Sequence, residues 1–150
     1  MRLVIQRVSN ASVTIDTEVR ACIGTGLLVL VGIEHGDTSE DVSWLVSKTA
    51  NMRIFPDETG VMNLSLIDIG GEALAVSQFT LTASTKKGNR PSYIRAAGHD
   101  LAVPLYEEYC RRLSDLIGKE VKRGVFGADM KISLINDGPV TIIIDSKLRE

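Results

Sequence analysis

Apolar and polar side chains alternate from the first residues. Leu3, Ile5 and Arg7 alternate with Val4, Gln6 and Val8, and further on Ala11, Val13 and Ile15 alternate with Ser12 and Thr14. A period of two is the signature of extended backbone, so two opening strands are expected. Asp16-Thr17-Glu18 turns the chain into a strand from Val19 to Ile23, and Gly24-Thr25-Gly26 turns it again. The apolar run from Leu27 to Val31 suits a central strand, so the first third reads as an antiparallel meander.

From residue 38 the period lengthens. Val42, Leu45, Val46, Thr49 and Met52 fall at helical spacing, and Thr38 or Ser39 can cap the helix. Glu40 and Asp41 stand in its first turn, where a carboxylate favours the amide end. Trp44 lies off the stripe and is expected to be partly buried at the helix edge. After Arg53-Ile54-Phe55, Pro56 to Gly60 reads as a turn, and Gly70-Gly71 as another before a long strand from Ala73 to Leu81. The polar, basic stretch from Thr82 to Pro91 reads as an exposed loop. A second helix is expected from a cap at Asp100 to Ile117. Leu105, Tyr109, Leu113 and Leu116 would face inward, Pro104 would be confined to the first turn, and Gly118 would be the stop. Strands from Met130 to Ile135 and from Val140 to Ile144 close the chain. Many short strands with two helices that do not alternate with them predict an α+β fold, its antiparallel strands curled into a barrel-like sheet.

The chain has 150 residues, 44% of them hydrophobic, which suits one compact domain. No apolar stretch nears the ~20 residues that cross a bilayer, and the first residues run straight into strand-like sequence. A soluble, cytoplasmic protein with no membrane association is expected. Cys22 and Cys110 are far apart, with no second thiol or His at metal-ligand spacing. Both read as buried free thiols, and neither a metal nor an organic cofactor is expected. His35 and His99 read as surface loop residues, because nothing beside them resembles a nucleophile and its orienter. The net charge of −2 gives no global footprint for nucleic acid, yet the cations are clustered. Lys86, Lys87, Arg90 and Arg95 share one stretch, and Arg111, Arg112, Lys119, Lys122 and Arg123 surround the end of the second helix. Each cluster suits either phosphates or a plain solvated face.

The familiar catalytic signatures are absent: there is no GxSxG elbow, Walker loop, GxGxxG, HExxH or paired-cysteine motif. Two segments stand out. Ser77-Gln78-Phe79-Thr80-Leu81 gathers three hydrogen-bonding side chains after the apolar Leu74-Ala75-Val76. It is either a strand end whose hydroxyls satisfy neighbouring backbone, or a pocket wall that offers amides and a hydroxyl to an ester carbonyl. Asn136-Asp137-Gly138-Pro139-Val140-Thr141 contains Asp-Gly, a strong hairpin signal, so a plain turn is one reading. In the other, a cis Gly138-Pro139 bond aims two successive carbonyls in nearly one direction, a rigid edge able to bar a substituent on one face of a ligand.

These two segments resemble the signature motifs of the D-aminoacyl-tRNA deacylase (D-tyrosyl-tRNA deacylase) family, and the resemblance runs through essentially the whole chain. It includes Ile5-Gln6-Arg7-Val8, Ala11-Ser12-Val13, Gly26 to Leu30, Arg53-Ile54-Phe55, Met62-Asn63-Leu64, Arg90-Pro91-Ser92 and Phe126-Gly127-Ala128-Asp129-Met130. Gly127 is a departure, since the family more often has another small residue there. The resemblance implies an editing hydrolase that cleaves the ester of D-aminoacyl-tRNA, and of mischarged glycyl-tRNA, while rejecting L-aminoacyl-tRNA. It implies a homodimer in which Gly138-Pro139 of one subunit enters the active site of the other. Carried over residue by residue, Ser77, Gln78, Phe79 and Thr80 line the pocket, Gly138 and Pro139 form the chiral filter, Arg7 supports that filter, and Phe126 and Met130 approach the terminal adenosine.

Ester hydrolysis needs a water nucleophile, oxyanion stabilisation and a proton acceptor. Thr80 lacks an evident activating base in the sequence, so chemistry assisted by the terminal ribose hydroxyl of the tRNA is preferred, as the resemblance also suggests. Two alternatives stay open: Thr80 as a side-chain nucleophile, and a nucleic-acid-binding module without catalysis, since some relatives are linked to DNA replication. Lys86, Lys87 and Arg90 are the first candidates for contacts to tRNA phosphates.

Overall fold

A computed structural model describes residues 1–149. The opening alternation forms one strand, β1 (Arg2–Ile15), rather than two. Leu3 and Ile5 belong to one core cluster, and Val8, Ala11, Val13 and Ile15 to a second. A register shift between Val8 and Asn10 explains why Val8 and Ala11, at odds with the period of two, face the same core: one extra residue reverses the face without ending the strand.

β2 (Glu18–Ile23) and β3 (Gly26–Gly32) both lie antiparallel to β1, β2 against its second half and β3 against its first. The order is therefore β2-β1-β3, not the consecutive order of a meander. Length is the reason, because the 14 residues of β1 offer an edge long enough for two strands laid end to end.

Helix α1 (Ser39–Asn51) starts at Thr38, which forms a capping box with Asp41, and it buries Val42, Leu45, Val46 and Thr49. Trp44 is half-buried at its edge, with the Lys48 ammonium and the Arg149 guanidinium over its ring. A two-strand ribbon follows, β4 (Phe55–Pro56) with β5 (Met62–Leu64). The chain then enters β6 (Glu72–Ser77) parallel to β3, because α1 has carried it back to the end of the sheet where β3 began. Helix α2 (His99–Ile117) begins two residues earlier than expected, at an N-cap Gly98, so Asp100 lies in the first turn instead of capping it. Pro104 consequently falls in the second turn, where it costs one backbone hydrogen bond, and Leu116 is exposed rather than inward.

β7 (Lys122–Arg123) runs parallel to β6, so the sheet is mixed rather than purely antiparallel. The last element, β8 (Lys131–Asp145), is a single strand where two were expected. Both halves run antiparallel to β1, so Asp137-Gly138 does not reverse the chain as a hairpin would. Gln6 pairs with Thr141 and Val8 with Asn136, which leaves Arg7 alone opposite the four residues 137–140, a bulge.

The result is the expected α+β architecture, a nearly closed barrel-like sheet with two helices. One core lies between α1, α2 and the sheet, and Thr49 and Tyr109 join the helices hydroxyl to hydroxyl at 2.8 Å. The other lies inside the curl, where Val8, Val13, Leu28, Leu74 and Val76 meet. Cys110 is buried, and that burial pushes its thiol up to about 12. Cys22, also expected to be buried, is exposed on the outward face of β2. Among the described residues no helix is long and apolar enough to cross a membrane.

Candidate active site

The expected strand to Leu81 stops at Ser77, and Phe79–Thr82 tightens into a 3-10 turn. The Gln78 amide still bonds the carbonyl of Val31 at 2.8 Å, which ties the turn to the end of β3. The first bond of the turn runs from the Leu81 amide to the Gln78 carbonyl at 3.2 Å, so the Phe79 and Thr80 amides lie ahead of its ladder. Buried Thr82 donates its hydroxyl to the Phe79 carbonyl at 2.8 Å and fixes the turn from below.

This turn forms one wall of a cleft of ≈ 590 Å³ in which Ser77, Gln78 and Phe79 face the 126–130 segment and the start of α2. The Phe126 ring is held edge to face by His99 and Tyr106, with centroids 5.3 and 5.8 Å away. Tyr106 is itself fixed by donating to the Ala75 carbonyl at 2.9 Å. Gly127 has φ +79, a left-handed conformation that side chains beyond glycine rarely adopt, so its place in the Phe-Gly-Ala-Asp-Met segment has a backbone reason.

Of the residues expected at the site, Ser77, Gln78, Phe79, Phe126 and Met130 share this cleft. Thr80 does not line it. Its hydroxyl accepts a 2.5 Å hydrogen bond from Gln78 Nε2, and among the described residues no carboxylate or imidazole bonds to it. A second group lies apart from the cleft. Arg7 donates from Nε to the Asp137 carbonyl at 2.9 Å and from Nη1 to the Ile54 carbonyl at 2.6 Å. Asn136 Oδ1 accepts the Val140 amide at 2.9 Å across the same bulge. The Gly138–Pro139 peptide is cis, and Asp137, Gly138 and Pro139 are exposed. Gly138 and Pro139 line no part of their own chain's cleft. Lys86, Lys87 and Arg90 stand on the exposed tip of a loop whose base is closed by paired backbone bonds between Ser84 and Ser92, both 2.9 Å.

Sequence reasoning missed two titratable groups of the cleft. His99, read as a loop residue, is the first residue of α2 and lines the cleft beside Phe126, as does Asp129. No local pattern marks either; they arrive there because α2 and the 126–130 turn converge. The Asp129 carboxylate is engaged by Lys131 at 2.9 Å. Among the described residues no group of three or more His, Cys, Asp or Glu could hold a metal ion.

Three comparisons bear on this arrangement. The family model described as D-Tyr-tRNA(Tyr) deacylase matches residues 4–145. Proteins named D-aminoacyl-tRNA deacylase from Flavobacterium psychrophilum and Bacteroides thetaiotaomicron are 62% and 60% identical over 150 residues, covering all of both chains in each case. A solved structure of a c-Myc DNA unwinding element binding protein superposes with a TM-score of 0.91 at 39% identity, over 97% of this chain and 98% of that one.

Proposed function

The chain belongs to the D-Tyr-tRNA(Tyr) deacylase family, and we propose that it is an aminoacyl-tRNA editing hydrolase that frees D-amino acids, and glycine from mischarged tRNA, while sparing L-aminoacyl-tRNA. The observation that carries this reading is the cleft: the Ser77-Gln78-Phe79 segment faces Phe126 and Met130 across a space sized for a terminal adenosine and its amino acid.

The ester carbonyl lies against the turn that starts at Gln78, where the Phe79 amide and the Ser77 hydroxyl stabilise the developing oxyanion. Gln78 and Thr80 brace each other through their 2.5 Å bond. Among the described residues Thr80 has no base within hydrogen-bond reach to activate it, which supports a positioning role and leaves the terminal ribose hydroxyl of the tRNA to orient or activate water. Phe126 and Met130 pack against the adenosine, and no metal or organic cofactor takes part.

Gly138 and Pro139 act as the chiral filter in trans. The bulge is exposed and contributes nothing to the cleft described above, which supports its meeting an ester in a neighbour's cleft. Among the described residues the edge of β8 away from β1 pairs with no other strand, and Ile135 and Ile143 on β8 are exposed, which suits a symmetric homodimer. Arg7 holds the bulge in shape through the Asp137 carbonyl. Lys86, Lys87 and Arg90 meet tRNA phosphates. The protein works in the cytoplasm, where charged tRNA is found.

The second reading is a nucleic-acid-binding module without catalysis, favoured by the likeness to the c-Myc DNA unwinding element binding protein. Deacylation of matched D-, L- and glycyl-tRNA separates the two. Release of D-amino acid and glycine with L-aminoacyl-tRNA intact is expected; a chain that binds tRNA and releases none is a binding module.

A further inference from the structure

The loop that closes beside the cleft presents an aromatic pair to solvent. The rings of Phe79 and Tyr93 pack edge to face with centroids 5.0 Å apart, yet they remain 56% and 40% exposed, and neighbouring Ile94 is 82% exposed. Phe79 belongs to the cleft wall and Tyr93 does not, so the pair forms a ledge running outward from the cleft mouth. The ledge is fixed in place. The Ala96 amide bonds the Tyr93 carbonyl at 2.9 Å, the Ser84–Ser92 bonds close the loop just before it, and Arg95 donates to the Thr82 carbonyl at 3.1 Å.

Charge around the ledge is one-sided. From Leu81 to Gly98 there is no Asp or Glu, while Lys86, Lys87, Arg90 and Arg95 supply four cations in a chain whose net charge is −2. Arg95 is paired with Glu34 at 3.6 Å; among the described residues Lys86, Lys87 and Arg90 have no ion pair. A rigid exposed ring beside uncompensated cations is the combination by which proteins hold single-stranded nucleic acid, the base on the ring and the backbone on the charges.

We propose that Tyr93, braced by Phe79, is a stacking site for an unpaired base of the acceptor end, the one preceding the ester-bearing nucleotide, and that the Lys86, Lys87 and Arg90 tip takes the phosphates of that strand. The inference rests on the deacylase reading and assigns to Tyr93 a positioning role that the ester chemistry does not itself require. It predicts that the ledge discriminates a full acceptor end from a bare nucleoside ester.

The test compares D-aminoacyl-tRNA with D-aminoacyl-adenosine, which keeps the ester and the terminal nucleoside and lacks everything before it. Tyr93→Ala should raise KM for charged tRNA roughly ten- to a hundredfold, the loss of one stacked base, with kcat and the D-aminoacyl-adenosine rate unchanged. Tyr93→Phe should restore the tRNA value. Equal losses on both substrates, no loss on either, or a Tyr93→Ala protein that sediments as a smaller species than the wild type would each overturn the proposal. Binding of a short single-stranded RNA ending in CCA is read in parallel. If the wild type hydrolyses neither ester but binds the RNA through Tyr93, the deacylase reading fails and the ledge stands; if Tyr93→Ala binds the RNA like the wild type, the ledge fails.

Discussion

Arg7 and Asp137 are joined side chain to backbone: the buried guanidinium donates from Nε to the Asp137 carbonyl at 2.9 Å, while the carboxylate of the same aspartate stays 3.9 Å away. The arginine therefore grips the path of the chain rather than a charge. An added Cβ at Gly138 would lie 2.8 Å from Arg7 Nη2 and 2.9 Å from Val140 Cγ2, at a φ of +130 that side chains rarely adopt. Gly138→Ala must then displace either the bulge or the arginine that holds it. The expected result is a folded protein whose kcat/KM falls on the order of tenfold or more for D-aminoacyl- and glycyl-tRNA alike. Unchanged rates and unchanged D-over-L selectivity in the folded variant would remove the bulge from the site.

Thr80→Ala separates positioning from nucleophilic chemistry. With its hydroxyl accepting from Gln78 and no base beside it among the described residues, Thr80 should be dispensable to within about tenfold in kcat. Loss of a true nucleophile costs on the order of a thousandfold or more, and single-turnover kinetics would reveal the difference directly.

Affinity for tRNA should fall with salt despite the negative net charge, because counterion release depends on local cations. Replacing Lys86 and Lys87 by alanine should reduce the slope of log Kd against log salt by about one to two. A slope identical to that of the wild type would assign phosphate binding to another surface.

Acid should weaken the fold through Asp41. Burial raises its pKa, but hydrogen bonds from Lys147, Ser146 and the Thr38 amide outweigh it and hold the carboxyl well below the usual range. A depressed folded pKa gives stability that is complete above the unfolded value near ~4 and lost as pH falls through the folded one. Urea unfolding between pH 5 and 2 should show this decline, and Lys147→Met should make it shallower; an equal decline in both proteins would contradict the assignment.

Much of this was legible in the sequence, and the departures share a cause. Period located both helices and Thr38 the start of the first, because Thr38 and the Val42 to Thr49 stripe act within a few residues of themselves, whereas the second is capped at Gly98 and not at Asp100. The errors came where tertiary pairing overruled local signals. Asp137-Gly138 reads as a hairpin, yet β1 is long enough to pair with both flanking segments and forces the four residues between them into a bulge. Ser77 to Leu81 reads as strand, but the turn begins once Gln78 has bonded the Val31 carbonyl. Of the residues the motifs nominated, Ser77, Gln78, Phe79, Phe126 and Met130 share a cleft, while Thr80 does not line it and Arg7, Gly138 and Pro139 lie apart from it. His99 and Tyr93 could not be found this way, since what marks them is proximity to Phe126 and Phe79 across more than ten residues of chain.

The measurement that bears most directly on a filter supplied in trans is subunit complementation. Ser77→Arg blocks a subunit's cleft, and Gly138→Ala damages its bulge. If each site combines the cleft of one chain with the bulge of the other, a mixed dimer holds one site with both defects and one with neither. Equimolar mixing of the two folded, impaired proteins with subunit exchange should then bring D-aminoacyl-tRNA deacylation to about one quarter of wild type, above either variant alone. Activity no higher than the sum of the separate variants, with exchange verified, would contradict a shared site.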